Sequence, residues 1–336
     1  MLSSWPPDVR RARDLVIACG WNATAYQIVN PGIRHWFSPP GDAVAGFVEY
    51  AGFRVVAGAP VCSLERLPAV IEEFESNAAE SGRRVCYFGA EARLDSALAN
   101  STSHSRALLG SQPIWNPAHW SETIRGHKSL RAQLNRARNK GISIVEYSAE
   151  EAMTSSDLRS VLSRWLETRG LPPLHFLVEP DTLERLDDRR IFVARHNDPM
   201  AAEPVAAFAV LSPVPARNGW LVEQFPRLPG APNGTIELLL SRAVDAVADS
   251  GAEYVTLGLA PLARRSAISG NDEPWWLRAV LNLAASYGSR FYNFRGLEAF
   301  KTKFHPERWE PLYAIQNSPR FTPGALIAIG RAFVAV

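Results

Sequence analysis

The sequence predicts an α/β fold (mixed α+β) organised as two domains. The chain has 336 residues, of which 46% are apolar, so it can bury one large core or two ordinary ones, and its length favours two. Short strand-like runs alternate with longer stretches of helical periodicity, as expected where helices cover a sheet. This alternation starts again after an irregular stretch around residues 100–119. We therefore expect domains at residues 1–120 and 121–336.

The first half contains two predicted helices and several predicted strands. Pro6 and Pro7 come before residues 8–19 and Gly20 follows them, which gives a helix with a start and a stop signal. Residues 64–79 have the apolar spacing of a second helix. The Ser-rich stretch 100–105 and residues 112–119 are expected to be irregular connections. The strand-like runs are residues 25–28, 43–50, 53–57 and 84–88.

The second half repeats this organisation without a visible residue-level repeat. Helical patterns cover residues 128–140, 158–168 and 236–248, and strand-like runs cover 191–194, 205–211 and 254–257. A short amphipathic segment has Leu297, Phe300 and Phe304 at helical spacing, so these side chains should face the core. The apolar residues 321–336 should form a helix docked on the body, because a helix on a membrane surface usually carries several Lys or Arg.

Composition and charge limit the classes of partner. The formal net charge is +2 and 21% of residues are charged, so no strong global field attracts the chain to DNA, and any polyanion site must be local. The cysteines, Cys19, Cys62 and Cys86, are far apart and fit free thiols in a reducing compartment. The histidines have no metal-ligand spacing, so we expect no metal and no cofactor. The N-terminus does not have the pattern of a signal peptide, and we expect a cytoplasmic protein.

Residues 121–140 carry a local concentration of positive charge. Six basic side chains stand there against the single acid Glu122. If residues 128–140 are helical, Leu130, Leu134 and Ala137 form an inward stripe. Such a helix can neutralise several phosphates of a nucleic acid, although an ordinary solvated helix face is the alternative. The basic residues are Arg125, Lys128, Arg131, Arg136, Arg138 and Lys140.

Residues 231–235 form a turn signal that leads into a helix beginning near Thr235. The first backbone N–H groups of such a helix can receive an anionic group, and a plain turn with a helix cap is the alternative. Glu237 lies in the first turn, where the helix dipole favours a negative charge whatever its function. Lys301 and Lys303 lie near the end of the amphipathic segment, where they would also complement the dipole.

Three phrases carry a family resemblance: LGLAPLA at residues 257–263, FYNFRGLEAFKTKF at 291–304 and WEPLY at 309–313. With the basic segment and the turn at 231–235, they resemble the soluble C-terminal catalytic domain of the phosphatidylglycerol lysyl- and alanyl-transferases. The resemblance runs from the region of Tyr26 to Tyr313 and is strongest after Asn233. It implies tandem GNAT-like domains, each a mixed sheet flanked by helices, akin to the Fem-type peptidyltransferases.

The resemblance also implies an activity. Family members move an aminoacyl group from aminoacyl-tRNA to a hydroxyl, most often on phosphatidylglycerol or a related lipid, which would place the chain at the inner membrane face as a peripheral protein. A small-molecule hydroxyl or hydroxylamine acceptor in a natural-product pathway is an alternative, and a non-catalytic tRNA-binding module is another. An acyl-CoA transferase is disfavoured because no Arg/Gln-x-x-Gly-x-Gly/Ala phosphate loop is present.

The residues that match the family's motifs receive roles from this resemblance. Glu237 or Glu223 would bind the α-ammonium group or assist proton transfer, and Lys301 would stabilise the developing negative charge from a position free to point into a cleft. Two departures stand out, since Pro226 and Arg227 replace a usual Arg-Arg in part, and Leu312 replaces the arginine of a Trp-Glu-Pro-Arg-Tyr phrase, which leaves the acceptor open. The substrate-binding set is Asn233, Arg227, Asn293, Arg295 and Lys303, and the tRNA-binding set is Lys128, Arg131, Arg136, Arg138 and Lys140.

Overall fold

The computed structural model describes residues 5–168, 175–178, 181, 183–198, 200–261 and 294–334, and within these ranges ten α-helices flank a mixed β-sheet. The helices of the first part are α1 (Pro7–Cys19), α2 (Leu67–Glu80), α3 (Ala92–Ala97), α4 (Trp120–Gly126) and α5 (Lys128–Asn139). Those of the second part are α6 (Ala149–Thr154), α7 (Ser156–Glu167), α8 (Thr235–Asp249), α9 (Phe294–Thr302) and α10 (Pro323–Val334).

Twelve strands form one continuous sheet in the order β1-β2-β3-β4-β12-β5-β10-β9-β8-β7-β6, with β11 pairing to β5. The first six are β1 (Arg34–Phe37), β2 (Val44–Tyr50), β3 (Phe53–Ala57), β4 (Arg84–Ala90), β5 (Ser105–Trp115) and β6 (Ile142–Tyr147). The others are β7 (Arg190–His196), β8 (Val205–Val214), β9 (Gly219–Gln224), β10 (Tyr254–Thr256), β11 (Ala260–Pro261) and β12 (Arg308–Gln316).

The end of the chain completes the first half of the sheet. Strand β12 lies between β4 and β5 and is antiparallel to both, and α10 packs on β2 and β3. The second half joins at β10, which is antiparallel to β5 and parallel to β9. The two halves therefore share one sheet, and the division at residue 120 stays a prediction.

Most predicted elements are confirmed with ends shifted by a few residues, but two predictions are wrong. Residues 25–28 belong to a buried 3₁₀ helix, Ala25–Val29, and not to a strand. Its side chains reach the second half, since Tyr26 donates to Asp188 and Gln27 to Ser212. Residues 112–115 belong to β5 and not to an irregular connection. Residue 113 falls between the residues that pair with β10 and those that pair with β11, so it has no partner in either strand. Proline, which has no N–H to donate, is therefore tolerated there.

Apolar clusters lie on both faces of each half. The predicted inward stripe of α5 is confirmed, since Leu130, Leu134 and Ala137 are buried against α8. The predicted docking of the C-terminal helix is also confirmed, because α10 buries Ala325, Ala328, Ile329 and Ala332. No helix in the described ranges has both the length and the apolar character needed to cross a bilayer.

Candidate active site

A cavity of about 450 Å³ lies where the two halves of the sheet meet. This volume is within the ~300–1,000 Å³ typical of small-molecule sites. Strands β4, β5, β9 and β12 and helices α7, α9 and α10 all contribute to its walls. Large apolar side chains cover much of the wall, namely Phe88, Trp165, Leu259, Leu312 and Phe333. The polar side chains in the wall are Thr24, Gln27, Glu91, Gln112, Glu223, Gln224 and Lys301.

Lys301 reaches this cavity from α9 and is only 3% exposed. Its Nζ donates to the carbonyl oxygens of Leu257, Gly258 and Leu259, each at 2.8 Å. An ammonium group has three donors, so all of them are used. The expectation that this ammonium is free to point into a cleft is therefore wrong. Burial lowers the pKa of Lys301 to about 7, whereas the carbonyl acceptors favour its charged form.

The carbonyls that hold Lys301 come from a break between two short strands. Thr256 pairs with Ile114 and Ala260 pairs with Ser111, so residues 257–259 leave the sheet between these pairs. Gly258 has a φ of +68°, a backbone conformation that glycine adopts without a steric cost. The LGLAP phrase thus supplies a small loop whose carbonyls are available to a buried cation.

Glu223, near the end of β9, also lines the cavity, but its charge is already balanced. Arg189 donates to Glu223 Oε1 from Nε at 2.6 Å and to Oε2 from Nη2 at 3.3 Å. Ser212 donates a further hydrogen bond to Oε1. Both charged side chains are at least nine-tenths buried. This carboxylate therefore orders the wall of the cavity and has little charge left for a cationic substrate.

Glu237 and Lys303 form an ion pair with an N–O distance of 2.6 Å. Neither is among the residues that line the cavity, and Lys303 Nζ also lies 4.2 Å from the Phe300 ring centre. The two charges neutralise each other at the first turn of α8. The predicted catalytic residues thus divide between the cavity, which holds Glu223 and Lys301, and this separate pair, which holds Glu237.

The turn before α8 is fitted closely to the basic helix α5. Gly234 has a φ of +93°, and a Cβ placed on it would lie 2.1 Å from the backbone oxygen of Gln133 in α5. Glycine is therefore required by both backbone conformation and space. Asn233 is exposed on this turn, and the first turn of α8 beyond it is largely buried. The turn sets the position of α5 on the body.

Five cations of the basic segment are exposed: Arg125, Lys128, Arg136, Arg138 and Lys140. Arg125 pairs with Glu122, whereas within the described ranges no carboxylate forms a salt bridge with the other four. Arg131 differs, because its guanidinium donates to the carbonyl oxygens of Ile124 and Arg125 and so caps α4. The exposed cations can contact phosphates, whereas Arg131 has a structural task.

The remaining predicted residues lie apart from the cavity or outside the described part of the chain. Arg227 is exposed and forms an isolated bridge with Ala207. Asn293 and the side chain of Arg295 lie outside the described residues.

Sequence reasoning missed Glu91, which is 2% exposed and lines the cavity directly after β4. Its Oε1 accepts from the backbone N–H of Ala23 at 2.6 Å, and its Oε2 accepts from Arg217 at 3.0 Å. Arg217 also donates to both oxygens of Glu310, at 2.9 and 2.8 Å. Burial raises the pKa of Glu91 to about 7. Its position in the sequence could have indicated it, since an acidic residue that immediately follows a buried strand often belongs to a functional site.

Comparison with known proteins gives a consistent result. The profile of the family described as "Phosphatidylglycerol lysyltransferase, C-terminal" matches residues 12–316. A phosphatidylglycerol lysyltransferase from Bacillus subtilis (strain 168) is 25% identical over 289 residues, which cover 85% of this chain and 32% of the relative. This chain thus spans about a third of that relative's length.

Two solved structures share the fold. The C-terminal domain of a putative lysylphosphatidylglycerol synthetase from Agrobacterium fabrum matches with a TM-score of 0.80 at 23% identity, covering 98% of this chain and 97% of that one. L-PGS from Bacillus licheniformis matches with a TM-score of 0.78 at 23% identity, covering 97% of this chain and 95% of that one. The predicted fold class, a mixed sheet flanked by helices, is confirmed, and the tandem GNAT-like arrangement stays a prediction. Because the profile covers most of its length, the chain belongs to the phosphatidylglycerol lysyltransferase C-terminal family.

Proposed function

We propose that the chain is an aminoacyltransferase that moves an aminoacyl group from aminoacyl-tRNA to a hydroxyl acceptor, with phosphatidylglycerol or a related lipid as the acceptor to test first. The observation that carries the proposal is the cavity, which combines apolar walls with a buried carboxyl group and a buried amine, Glu91 and Lys301. Family membership supports aminoacyl transfer to a lipid, and the basic helix α5 supports a tRNA donor.

The reaction needs alignment more than a strong nucleophile, because an aminoacyl ester is already activated. The acceptor oxygen forms a bond to the ester carbonyl carbon, and the bond from that carbon to the ribose oxygen breaks. The proton of the acceptor hydroxyl is transferred to the ribose oxygen, so one ester replaces another and no electrons are exchanged. Holding both substrates in one cavity can remove ~7–11 kcal/mol of the barrier.

Lys301 would act on the negative charge that forms at the ester oxygen in the transition state. Its Nζ is fixed by three backbone carbonyls and lines the cavity. A cation held in this way needs no reorganisation during the reaction, which makes its electrostatic effect strong. The same contacts order residues 257–259, so Lys301 also shapes the wall around the reacting ester.

The basic helix would hold the tRNA. Its exposed cations are Lys128, Arg136, Arg138 and Lys140. Binding through phosphates should weaken as salt rises, with a slope of about −0.7 to −0.9 in log affinity against log salt for each phosphate contacted. Because the net charge of the chain is only +2, most of this dependence should come from α5.

The test is a transfer assay with the purified chain. Lysyl-tRNA and alanyl-tRNA, each with a radiolabelled amino acid, are incubated with vesicles of phosphatidylglycerol or of phosphatidylcholine, and the extracted lipids are separated by chromatography. Labelled lipid from the phosphatidylglycerol vesicles is the expected result. Salt-sensitive tRNA binding without transfer to either lipid would favour the non-catalytic tRNA-binding module.

Two lysine variants make the assay specific to the site. Lys301→Met should reduce the transfer rate by roughly 10²-fold or more, the effect of removing one electrostatic stabiliser. Lys303→Met is the matched control, because Lys303 pairs with Glu237 outside the cavity, and it should retain most of the rate. Equal rates in the two variants would remove Lys301 from the reaction.

A further inference from the structure

One end of the cavity is rich in hydrogen-bond acceptors. Thr24 and Gln27 come from the segment around the buried 3₁₀ helix, and Glu91 follows β4. The backbone N–H of Ala23 donates to Glu91 Oε1 at 2.6 Å, which joins the two segments. All three side chains line the cavity.

The orientation of the Gln27 amide follows from its neighbours. Arg189 donates to both carboxylate oxygens of Glu223, so these oxygens act as acceptors. The Ser212 hydroxyl therefore donates to Glu223 and must accept from Gln27, whose Nε2 lies 3.2 Å away. This fixes the amide nitrogen toward Ser212 and leaves Gln27 Oε1 as the acceptor with a free lone pair.

Two of these acceptors lack a protein partner. Gln27 is 1% exposed, and neither its Oε1 nor Thr24 Oγ1 has a hydrogen-bond partner among the described residues. Buried polar atoms are almost always hydrogen-bonded, because an unmade bond leaves the cost of desolvation uncompensated. A water molecule or a ligand that brings N–H or O–H donors would satisfy these two atoms.

Glu91 shares its charged partner. Arg217 donates to the carboxylates of both Glu91 and Glu310, and Arg308 also pairs with Glu310 on its exposed side, so Glu91 receives a single bond from a guanidinium that holds Glu310 through two. The other carboxylate in the wall, Glu223, is already matched by Arg189. A phosphodiester could not satisfy Gln27 Oε1, since it has no proton to donate. A primary ammonium group offers three donors and a positive charge, and three acceptor side chains stand ready for it.

A nearby donor indicates which ammonium group fits. Gln112 is 1% exposed and lines the same cavity. One hydrogen of its amide nitrogen is directed at Glu91, where it favours the charged carboxylate, and the second is available to a ligand, because an amide nitrogen has two donors. In an aminoacyl ester the α-nitrogen and the ester carbonyl are attached to neighbouring carbons. An ammonium acceptor site with an amide donor beside it therefore matches the α-amino ester more closely than a remote side-chain amine.

We propose that Glu91, Gln27 and Thr24 bind the α-ammonium group of the aminoacyl donor, and that Gln112 contacts its ester carbonyl. This inference rests on the proposed function and moves the ammonium-binding role from Glu223 and Glu237, both already paired, to Glu91. It makes a free α-amino group a requirement of the donor, whatever its side chain.

The experiment compares alanyl-tRNA with N-acetylalanyl-tRNA in single-turnover transfer. The wild type should use the acetylated donor at least ~10-fold more slowly, because acetylation removes the charge and two of the three donors. Glu91→Gln and Gln27→Leu should slow transfer from alanyl-tRNA and reduce the ratio of the rates measured with alanyl-tRNA and with N-acetylalanyl-tRNA. Glu146→Gln is the control, because Glu146 also pairs with an arginine, Arg190, but does not line the cavity, and it should keep the ratio. Thermal melting confirms that each variant is folded.

A second measurement separates this inference from the proposed function. Saturation-transfer NMR with alaninamide, N-acetylalaninamide and butylamine needs neither tRNA nor turnover. Saturation transfer to alaninamide alone supports the inference. The inference is overturned by equal transfer to N-acetylalaninamide, by a preference for butylamine or by no transfer to any of the three. If the wild type transfers both donors equally, the inference fails and the proposed function stands. If it transfers no aminoacyl group from any tRNA, the proposed function itself fails.

Discussion

Replacing Gly234 with alanine should separate the basic helix from the body of the protein. The new Cβ would lie 2.1 Å from the Gln133 carbonyl oxygen, which belongs to the backbone of α5 and has no flexible side chain to move aside. A normal contact needs about 1 Å more, so α5 must shift relative to α8. That shift disturbs the burial of Leu130 and Leu134, which pack in the cluster beneath the helix.

The magnitude follows from two costs. An alanine at a φ of +93° costs ~1–2 kcal/mol, because its Cβ approaches the following carbonyl oxygen. Forcing an extra carbon into a well-packed contact costs a further ~1–3 kcal/mol. The sum is about 2–5 kcal/mol. With an unfolding entropy of ~2.1 cal/mol/K per residue over 336 residues, this lowers Tm by about 3–7 °C.

The assay is thermal unfolding followed by circular dichroism, with tRNA affinity measured on the same samples. Gly230→Ala is the matched control, since it lies in the same connection and nothing lies within 4 Å of its added Cβ. Gly234→Ala should melt below both other proteins and bind tRNA more weakly, because its cations no longer share a fixed surface. A Tm within about 1 °C of that of Gly230→Ala, a difference near zero on the scale above, would contradict a clash between the turn and the backbone of α5.

Two further predictions test the charges. Lys128→Ala combined with Arg138→Ala should weaken tRNA binding and flatten the salt slope by about one per lost phosphate contact. Arg10→Ala combined with Arg320→Ala removes two exposed charges outside α5 and should leave the slope unchanged. Equal slopes in the two double variants would contradict a tRNA site on α5. Burial raises the pKa of Glu91 from 4.5 to about 7, so the folded state must ionise this carboxyl at a higher pH than the unfolded chain, and stability from this group falls as pH rises between those values. Wild type should lose about 2 kcal/mol relative to Glu91→Gln between pH ~5.5 and ~7.5, and parallel Tm curves for the two proteins would contradict the shift.

Helices and strands could be predicted from the sequence where their buried residues repeat at the spacing typical of that element. Leu130, Leu134 and Ala137 repeat at helical spacing, and the structure buries that stripe. The 3₁₀ helix at residues 25–29 could not be predicted in this way, because all five of its residues are buried and no alternation remains to reveal the backbone. Its side chains contact Ser212 and Asp188, which lie far away in the sequence. Tertiary contacts override local preference there.

The sequence identified a residue of the candidate site only where a short sequence motif contained that residue. The phrase around Lys301 located a lysine that does line the cavity, but the three carbonyls that hold it come from another segment. Charge pairing was equally hidden, since the sequence separates Glu237 from Lys303 by 66 positions and Glu223 from Arg189 by 34. Glu91 was missed because its importance comes from burial and from Arg217, and neither is visible in the residues beside it.

The two halves of the sheet contribute different groups to the cavity, so the junction between the halves matters for the proposed function. The acceptor-rich end of the cavity, with Gln27 and Glu91, belongs to the first half, whereas Lys301 and the basic helix belong to the second. Strand β12 follows α9 and runs between β4 and β5, so the segment that carries Lys301 is anchored directly beside the strand that precedes Glu91. Leu312 in β12 also forms part of the cavity wall. A rigid junction between the halves would therefore fix the distance between the proposed ammonium site and Lys301, the cation proposed to act on the ester, which is the alignment that ester transfer requires.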